Sequence, residues 1–239
     1  MKIEVWSDFV CPFCYIGKAR LENALEAFPQ KDQVELVFKS FELDPQAEKN
    51  TGQNIHEKLA AKYGRSLEEA RGMTANMTEQ AKMEGLDFRF DDMVPTNTFD
   101  AHRIAKLAES KGIGLTVAQR FFQAVFTDGE DVGDHDTLIR LATEAGLDES
   151  NVKETLESDA FTEQVRSEQG EAYQIGVQGV PFFVINRKYA ISGAQPKETF
   201  TQALEKAFEE EKATPQFETF SQNEDAACTE DGCEVPKNQ

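Results

Sequence analysis

Strand-forming residues lie near both ends of this chain, while the long middle section has a helical pattern of apolar and polar positions. Residues 2–7 and 34–41 are rich in aliphatic and aromatic side chains, and their separation is typical of a strand–helix–strand unit. From about residue 45 to 175 the pattern is almost wholly helical. Strand-forming runs return at residues 180–186 and 189–193. This order predicts an α/β fold in which a sheet domain carries a large helical insertion.

Local start and stop signals refine the predicted elements. The first helix should end before Pro29, and Pro196 should open a last helix that runs to about Lys212. The late strands should form a hairpin that turns at Arg187 and Lys188. Capping residues predict helix N-termini at Ser66, Thr116 and Asp134. Glycines predict helix C-termini at Gly85, Gly112 and Gly146.

The size and composition are those of a globular protein with a substantial core. The chain has 239 residues, of which 39% are hydrophobic and 18 are Phe. No apolar run reaches the roughly 18 residues that a membrane-spanning helix needs. Glu4 and Asp8 interrupt the N-terminal segment, which therefore does not match a secretory signal. We expect a cytoplasmic protein.

The charge balance argues against nucleic acids and anionic membranes as partners. With 44 acidic and 25 basic residues, the chain has a net charge of −19, which repels the phosphates of nucleic acids and anionic membranes. We therefore expect neither as a partner. Residues 213–239 hold six acids and one base, which predicts a flexible acidic tail. The predicted division is a sheet domain of residues 1–44 and 176–212, an inserted helical subdomain of residues 45–175, and this tail.

The clearest chemical signal comes from Cys11 and Cys14, which flank Pro12 and Phe13 between the first strand and the first helix. Cysteines three positions apart in a helical turn lie on one face, about 5–6 Å apart, which suits a disulfide. Cys11 would lie at the helix N-terminus, where unpaired backbone N–H groups and the helix dipole stabilise a thiolate. Pro12 suits the first helical position, where a missing N–H has no cost. The pattern predicts a redox-active dithiol.

Two other interpretations of this pair stay open from the residues alone. It could be half of a zinc site completed by Cys228 and Cys233, the remaining cysteines, or it could be two buried structural thiols. The three histidines lack metal-ligand spacing, and four cysteines are too few for a disulfide-stapled scaffold. We expect no metal site and no bound cofactor.

Three segments carry a combination of motifs that is specific to one protein family. They are residues 7–17 with the sequence SDFVCPFCYIG, residues 97–103 with NTFDAHR, and residues 176–183 with GVQGVPFF. Together with the helical insertion, this combination resembles the DsbA family of the thioredoxin superfamily, and within it the FrnE-like cytoplasmic branch. The resemblance extends to about residue 212. It implies a thioredoxin-like fold with a large helical insertion.

The resemblance also implies roles for individual residues. Cys11 would be the exposed nucleophile and Cys14 the more buried resolving thiol of thiol–disulfide exchange. The bond between Val180 and Pro181 would be cis, with Pro181 packed against the cysteine pair and the backbone of Val180 available to a client peptide. Phe13 stands where periplasmic DsbA proteins have His, so Cys11 should be less acidic and the pair less oxidising than in those enzymes.

Several neighbours of these motifs have more than one candidate role. Asp8 is either a buried proton carrier or a turn acceptor. His102 either lines the active-site groove or is a structural histidine satisfied by hydrogen bonds. Trp6 and Tyr15 are expected to be packing residues. The remaining histidines are His56 and His135. Each stands alone on a polar helix, and we expect both at the surface.

Cys228 and Cys233 in the predicted tail can close a small ring, because Gly232 permits a tight turn. Members of the FrnE-like branch can carry such a pair near the C-terminus. It is interpreted as a second redox pair that exchanges with the first, as a redox-sensing disulfide, or as an inert pair. Acidic neighbours disfavour thiolates there, which argues for slow exchange.

The leading functional hypothesis is a thiol–disulfide oxidoreductase or isomerase that acts on protein clients through Cys11 and Cys14. Glutathione or a thioredoxin-type protein would then be its reductant. A second hypothesis is a glutathione-dependent isomerase or transferase of small aromatic substrates, although relatives of that kind place serine at the nucleophile position. A third is a non-enzymatic chaperone or zinc-binding module that uses its thiols as ligands.

Overall fold

A computed structural model describes residues 1–49 and 52–212, together with the backbone of two short strands nearer the C-terminus. The strands are β1 (Lys2–Ser7), β2 (Glu35–Ser40), β3 (Phe182–Ile185), β4 (Tyr189–Ser192), β5 (Cys228–Thr229) and β6 (Gly232–Cys233). The helices are α1 (Pro12–Glu26), α2 (Ile55–Tyr63), α3 (Leu67–Met83), α4 (Phe99–Ser110), α5 (Gly114–Gln123), α6 (His135–Glu144), α7 (Glu149–Glu157), α8 (Thr162–Gln174) and α9 (Lys197–Lys212). This mixture confirms the predicted α/β class. Within the described residues, no helix is long and apolar enough to cross a membrane.

Four strands form one mixed sheet in the order β2–β1–β3–β4. Strand β1 is parallel to β2, with Val5 opposite Phe38, and antiparallel to β3, with Val5 opposite Phe183. Helix α1 makes the crossover between the two parallel strands. Helices α2 to α8 lie between β2 and β3 in sequence. Because β1 is central, the loop that follows it begins in the middle of the sheet, and the cysteine pair lies where that loop meets α1.

One face of the sheet forms an apolar core with α1 and α9. Alternate residues Ile3 and Val5 of β1 belong to this core, where they join Leu21 of α1 and Phe200 of α9. Phe183 of β3 contacts the ring of Phe200 edge-on, with ring centroids 4.8 Å apart. Full burial of an aliphatic or aromatic side chain of this size contributes about 1.5–3 kcal/mol. The two helices are therefore held on the sheet mainly by hydrophobic burial.

A second core joins the sheet to the helices that follow β2. The ring of Phe9, directly after β1, lies 5.4 Å from the rings of Phe38 in β2 and of Phe121 and Phe122 in α5. Tyr15 of α1 stacks on Phe122 with ring centroids 5.0 Å apart. Tyr15 is 5% exposed. Its predicted packing role is confirmed.

A buried ion pair also holds the helices against the sheet. Lys106 of α4 donates to Oε1 of Glu168 at 2.9 Å and to the carbonyl oxygen of Phe38 at 2.6 Å. The Glu168 carboxylate, on α8, accepts from the backbone N–H of Ser40 at 2.7 Å. The backbone carbonyl of Glu168 accepts from the indole N–H of the buried Trp6 at 2.9 Å, which confirms the packing role of that side chain. The pair thus connects β2, α4 and α8, and the backbone of Glu168 adds the contact with β1.

Most predicted helix ends are confirmed. Ser66 caps α3 through a reciprocal capping box with Glu69. Asp134 caps α6, since its side chain accepts from the backbone N–H of Thr137 at 2.8 Å. The first helix ends at Glu26, ahead of Pro29, and the last begins directly after Pro196. The glycines predicted at C-termini follow the ends of α3, α4 and α6 with positive φ, at Gly85, Gly112 and Gly146.

The predicted cap at Thr116 is wrong. Helix α5 begins earlier, at Gly114, with Ile113 as its N-cap residue. The turn that precedes it is tight, because the backbone N–H of Ile113 donates to the carbonyl oxygen of Ala108 at 3.0 Å. A Cβ on Gly114 would lie 3.1 Å from Cα of Glu109. Close packing against the end of α4 therefore starts the helix before the capping signal.

The hairpin of β3 and β4 turns one residue earlier than predicted. Its central residues are Asn186 and Arg187, with φ of 50° and 54°, rather than Arg187 and Lys188. Asn tolerates the left-handed region better than most residues. Its side chain also fixes the turn, because Oδ1 of Asn186 accepts from the backbone N–H of Lys2 at 2.8 Å. A contact with β1 therefore selects the position of the turn.

Replacing Lys106 by Met should lower the free energy of unfolding by about 3 kcal/mol, because it leaves the buried Glu168 carboxylate without its nearest cation. Urea-induced unfolding at pH 7 measures the loss. Lys153→Met is the matched control. Lys153 forms an exposed pair with Glu149 on one helix face, and such pairs contribute less than about 1 kcal/mol. Equal losses in the two variants would contradict the structural role of Lys106.

Candidate active site

Cys11 and Cys14 lie at the start of α1, on the loop that leaves the central strand. Cys11 is the N-cap residue, with extended dihedrals of φ −93° and ψ 111°, and Pro12 occupies the first turn as predicted. The backbone N–H of Cys11 donates to the carbonyl oxygen of Asp8 at 3.1 Å. The backbone N–H of Cys14 donates to the carbonyl oxygen of Cys11 at 3.0 Å. Both cysteines are free thiols.

The expectation that Cys11 is exposed is wrong. Cys11 is 4% exposed and Cys14 is 1% exposed, so the predicted nucleophile is only marginally more accessible than its partner. Part of the cover comes from Val180, whose carbonyl oxygen accepts a hydrogen bond from the Cys11 thiol at 3.5 Å. The rest comes from side chains of the middle section that surround the same space. A reactant therefore reaches Cys11 through a cavity rather than across an open surface.

Burial holds the Cys14 thiol in its protonated form. It raises the pKa of Cys14 well above the ordinary value, and the adjacent Cys11 adds to the rise. Hydrogen bonds from the side chain of Ser7 and the backbone N–H of Asp8 lower that pKa in part, because they stabilise the thiolate. A Cys14 thiolate must therefore form during a reaction, by loss of its proton to an acceptor.

The loop that carries Pro181 approaches α1 closely. The Val180–Pro181 peptide bond is cis, as the resemblance implies. The carbonyl oxygen of Pro181 accepts from the backbone N–H of Gly193 at 2.8 Å. Gly17 of α1 permits the approach, because a Cβ there would lie 3.0 Å from Cγ of Pro181 and 3.1 Å from the ring of Phe183. The structure thus places Val180 against Cys11 and Pro181 against the next turn of the same helix.

A cavity of about 610 Å³ opens beside Cys11. Helices α2 and α3 contribute one wall, and most of the lining is apolar. The apolar lining residues include Val10, Pro12, Phe13, Leu43, Ile55, Leu59, Tyr63, Met73, Met77, Met93 and Val180. The charged ones are Asp8, Asp44, Lys58 and Lys62. Methionine is flexible and polarisable, so this wall can adapt to apolar groups of different shape.

Apolar side chains also form the rim of the cavity. Phe13, between the two cysteines, is 39% exposed, and Leu43 and Tyr63 are 39% and 53% exposed. All three line the cavity. Large apolar side chains that cluster at a surface mark contact sites for a partner or ligand. The entrance to Cys11 therefore favours apolar contacts.

A buried polar cluster lies behind the cysteine loop. Oδ2 of Asp8 accepts from the backbone N–H of Leu43 at 2.7 Å, and Oδ1 lies 3.4 Å from Nε2 of His102. His102 of α4 is fully buried, and neither of its ring nitrogens has a hydrogen bond within the described residues. The expectation of a histidine satisfied by hydrogen bonds is therefore wrong. Within the turn Asp8 accepts from Cys11 only through its backbone carbonyl, while its side chain accepts from Leu43.

Glu42, directly after β2, extends this cluster. Its Oε2 pairs with Arg166 of α8, while its Oε1 has no hydrogen bond in the described part of the chain. Burial raises the pKa of Glu42, and the positive charges of Arg166 and His102 oppose the rise. The hydroxyl of Thr96 is also buried without a partner among the described residues. Asp8, His102 and Glu42 thus hold several polar atoms whose hydrogen-bonding capacity is unused.

The other histidines divide between the interior and the surface. His56 is 4% exposed, so its predicted surface position is wrong. Its Nε2 lies 3.0 Å from Oδ1 of Asp91 and its Nδ1 lies 3.3 Å from the hydroxyl of Thr74, both from segments distant in sequence. His135 is exposed, as predicted, and pairs with Asp100 at 2.8 Å. In the described ranges, no group of three or more His, Cys, Asp or Glu residues could hold a metal ion.

The predictions for the C-terminal cysteines fall mostly outside the described residues. The backbones of β5 and β6 pair antiparallel, with Cys228 opposite Cys233 and Thr229 opposite Gly232. Directly opposed residues in such a pair have Cα atoms about 4.5–5.5 Å apart, a range in which a disulfide fits. Exchange between this pair and Cys11–Cys14, and the rest of the predicted tail, lie outside the described residues.

Two features of the site were not predicted from the sequence. One is the role of Gly17, for which a signal existed, because a glycine inside a helix costs about 1 kcal/mol relative to Ala and so needs a packing reason. The other is the contact of Asp8 with His102 and the presence of Glu42 beside them. No sequence signal marked Glu42, because it meets the cluster only through the fold.

Comparisons with known proteins agree with this geometry. A family model described as a DSBA-like thioredoxin domain matches residues 2–205. The chain is 31% identical over 204 residues to uncharacterized protein YwbO of Bacillus subtilis (strain 168), covering 84% of this chain and 94% of that protein. The crystal structure of a probable DsbA oxidoreductase, SCO1869 of Streptomyces coelicolor, has a TM-score of 0.87 and 44% identity and covers 99% of this chain and 100% of that one.

A more distant structure shows the shared fold alone. The cytosolic disulfide reductase DsbM of Pseudomonas aeruginosa with GSH has a TM-score of 0.61 and 14% identity. The match covers 87% of this chain and 100% of that one. The helical block between the strands is thus part of the similarity rather than an addition peculiar to this chain.

Gly17→Ala should push the Pro181 loop slightly away from α1, because the added methyl would lie 3.0 Å from Pro181 and 3.1 Å from Phe183, closer than most packed carbons. We expect a loss of about 1–3 kcal/mol in the free energy of unfolding. Alkylation of Cys11 by iodoacetamide should become faster, because Val180 moves with Pro181 and uncovers the sulfur.

The matched control is Gly170→Ala in α8. A Cβ on Gly170 would meet nothing within 4 Å, so this change should be neutral or stabilise by about 0.5–1 kcal/mol. If Gly17→Ala behaves like Gly170→Ala in both unfolding and alkylation, the close approach of Pro181 to α1 is not a constraint on the site.

Proposed function

This chain belongs to the DSBA-like thioredoxin domain family, and on that basis we propose that it is a thiol–disulfide oxidoreductase that exchanges disulfides with protein clients through Cys11 and Cys14. The observation that carries the proposal is the placement of two free thiols in the first turn of α1, beside Val180 and a walled cavity. A dithiol in that position combines a nucleophile at a helix N-terminus with a resolving thiol within reach.

Cys11 performs the first step of the proposed reaction. It lies at the N-cap of α1, beside the unpaired backbone N–H groups of the first turn and the positive end of the helix dipole. The thiolate attacks one sulfur of a client disulfide, so that a Cys11–client bond forms and the other client sulfur leaves as a thiolate. Cys14 then loses its proton, attacks the Cys11 sulfur and releases the second client sulfur. The client gains two electrons and the protein keeps a Cys11–Cys14 disulfide; the reverse sequence oxidises a client dithiol.

The cavity supports clients that present an apolar side chain next to their cysteine. Met73 and Met77 offer an adaptable apolar wall, and the rim adds exposed aromatic and aliphatic side chains. The backbone N–H of Val180 donates no hydrogen bond within the described residues. It is therefore free to pair with the main chain of a client, as the resemblance implies.

Phe13 supports a weakly oxidising pair. An uncharged ring between the cysteines stabilises a Cys11 thiolate less than an imidazolium would. We propose glutathione or a thioredoxin-type protein as the reductant that returns the disulfide to the dithiol. Glutathione is the first small thiol to test, because the structure of the cytosolic reductase contains GSH.

Three further assignments belong to the same proposal. Residues 1–44 and 176–212 would form the thioredoxin-like domain, residues 45–175 the inserted helical subdomain, and residues 213–239 an acidic tail. Cys228 and Cys233 would be a second redox pair, which the opposed backbone positions of the two residues support. The protein would belong to the FrnE-like branch and act in the cytoplasm.

The trapping test for this function uses the full chain with Cys228→Ser and Cys233→Ser, into which either Cys14→Ser or Cys11→Ser is introduced. Cys14→Ser should accumulate mixed disulfides with a scrambled client protein, because Cys11 can attack and nothing resolves the product. Cys11→Ser should trap none, and both variants should lose nearly all activity in dithiothreitol-driven insulin reduction. Non-reducing gels and mass spectrometry identify the linked residues. Folded protein that neither traps a client nor reduces insulin would contradict the proposal.

Two alternative functions would each give a different result, one in glutathione binding and the other in metal analysis. Tight glutathione binding that persists in Cys11→Ser, with no trapping, would favour a glutathione-dependent enzyme acting on a small aromatic substrate. Stoichiometric zinc held by both cysteine pairs would favour a metal-binding module. Either result would displace disulfide exchange as the main function.

Met77→Gln should weaken the use of clients that carry an apolar residue beside their disulfide. Loss of one apolar contact in the cavity wall corresponds to a roughly 5-fold rise in KM, with kcat little changed. The measurement is steady-state reduction of a peptide disulfide with a Leu next to the cysteine. Met83→Gln on the same helix is the control, because Met83 is 72% exposed and lies outside the cavity lining. Equal KM values in the two variants would show that the cavity does not take part in client recognition.

A further inference from the structure

We propose that Asp8 and His102 form a proton-holding pair that receives the proton of Cys14 while Cys14 resolves a mixed disulfide at Cys11. Asp8 is the acceptor, and His102 is a positioning residue that acts through it. This role belongs to the proposed exchange reaction and specifies where its proton goes. Buried polar atoms of native proteins nearly always have hydrogen-bond partners, so unpaired ones call for an explanation. Here Oδ1 of Asp8 and both ring nitrogens of His102 are buried and unpaired within the described residues.

The buried groups that contact the Cys14 sulfur include the backbone of Asp8. Cys14 is buried, and burial raises the pKa of its thiol. The groups that hydrogen-bond its thiolate are the side chain of Ser7 and the backbone N–H of Asp8. Ser7 and Asp8 are themselves 1% exposed. Bulk water therefore does not reach the Cys14 sulfur freely, and Asp8, whose backbone N–H contacts that sulfur, carries a carboxylate that is buried on the same loop.

The two oxygens of the Asp8 carboxylate have different tasks. Oδ2 is engaged, since it accepts from the backbone N–H of Leu43 at 2.7 Å. Oδ1 faces Nε2 of His102 at 3.4 Å, within the range of an ion pair but outside hydrogen-bond geometry. One oxygen thus fixes the carboxylate in place, and the other is open to receive a proton.

His102 is held in a fixed position relative to Asp8. It lies one helical turn before Lys106 on α4, and Lys106 is anchored to β2 and to Glu168. The ring of Phe9 covers it, with ring centroids 4.8 Å apart. A histidine that cannot turn away can share one proton with the carboxylate beside it, in either direction.

The charges around the pair explain why the proton should stay in the cluster. Glu42, after β2, contributes a second buried carboxylate, which Arg166 of α8 offsets. Asp8 lines the cavity together with Cys11 of the cysteine loop and with Asp44, Lys58 and Lys62, and its backbone N–H contacts the Cys14 sulfur. Loss of the Cys14 proton to solvent would add a buried negative charge, which is costly. Transfer to the Asp8–His102 pair leaves the total charge of the cluster unchanged.

The resolving step then balances within the site. The Cys14 S–H bond breaks, its proton moves to the Asp8–His102 pair, and the sulfur forms a bond to Cys11. The bond between Cys11 and the client sulfur breaks, and the client leaves as a thiolate. Asp8 lines the same cavity as Cys11, so the pair can return the proton to the departing thiolate there. The pair ends the step unchanged, and the electrons move only between sulfur atoms.

The test follows the two chemical steps separately in the full chain with Cys228→Ser and Cys233→Ser. Reduced protein is mixed with dithiobis(nitrobenzoic acid). Attack by Cys11 releases a first nitrothiobenzoate, and resolution by Cys14 releases a second, which Cys14→Ser abolishes. Both rates are measured by stopped flow from about pH 6 to about pH 9 in the parent, Asp8→Asn and His102→Gln. Asp8→Asn keeps an oxygen that can accept from Leu43, so it retains the structural contact and removes the proton-holding charge.

In Asp8→Asn we expect the second phase to slow about 10- to 100-fold near pH 6–7, the range in which a positioned base contributes most. The deficit should shrink toward about pH 9, because hydroxide replaces the missing acceptor. His102→Gln should show a smaller deficit with the same pH dependence. The first phase should change by less than about threefold in both. His56→Gln, which removes another buried histidine with a carboxylate partner, should match the parent in both phases.

A deficit that is the same at every pH, or no deficit in folded Asp8→Asn and His102→Gln, would overturn the proposal and leave Asp8 and His102 as structural residues. If near-ultraviolet circular dichroism shows that Asp8→Asn is unfolded, the pH dependence of His102→Gln decides by the same criterion. A parent protein without a second phase, or with one that survives Cys14→Ser, would instead contradict the dithiol function itself.

Discussion

The ion pair between Lys106 and Glu168 sets the geometry on which the site depends. It is buried where α4 and α8 meet β2, and its two side chains form hydrogen bonds with the backbone of Phe38 and Ser40 in that strand. Because an isolated buried charge is costly, α4 cannot shift along the sheet without breaking the pair. His102 lies one turn away on the same helix. The distance between His102 and Asp8 is thus fixed by an interaction outside the reactive centre.

Two parts of the chain supply the residues of the site. The strands and α1 supply the thiols, the helix N-terminus and the Val180–Pro181 loop. The helices between β2 and β3 supply the cavity wall and His102. Without the helices between β2 and β3, a dithiol at the N-terminus of α1 would be exposed to solvent. The helical section turns it into a thiol pair whose access and protonation are both controlled by surrounding side chains.

The sequence was informative wherever structure is decided by neighbouring residues. The Cys11–Cys14 motif, the strand before it and the cap at Ser66 were all predicted from local patterns. The errors concern contacts between distant segments. Thr116 failed as a cap because α4 packs against the preceding turn, and His56 is buried because loop and helix residues remote in sequence surround it. The cover over Cys11 and the contact of His102 with Asp8 likewise exist only after the chain has folded.

Burial of Cys11 also bears on how long the thiol survives in an oxidising cell. Irreversible oxidation of cysteine to sulfinic and sulfonic acids depends on access of small oxidants to the thiolate. Cys11 keeps 4% of its surface exposed, and the space that leads to it is lined by Met73, Met77 and Met93. Methionine thioethers react with the same oxidants, and their sulfoxides are enzymatically reversible. The methionines that line the cavity therefore offer oxidants a repairable target beside Cys11, whose irreversible oxidation would end the proposed exchange reaction.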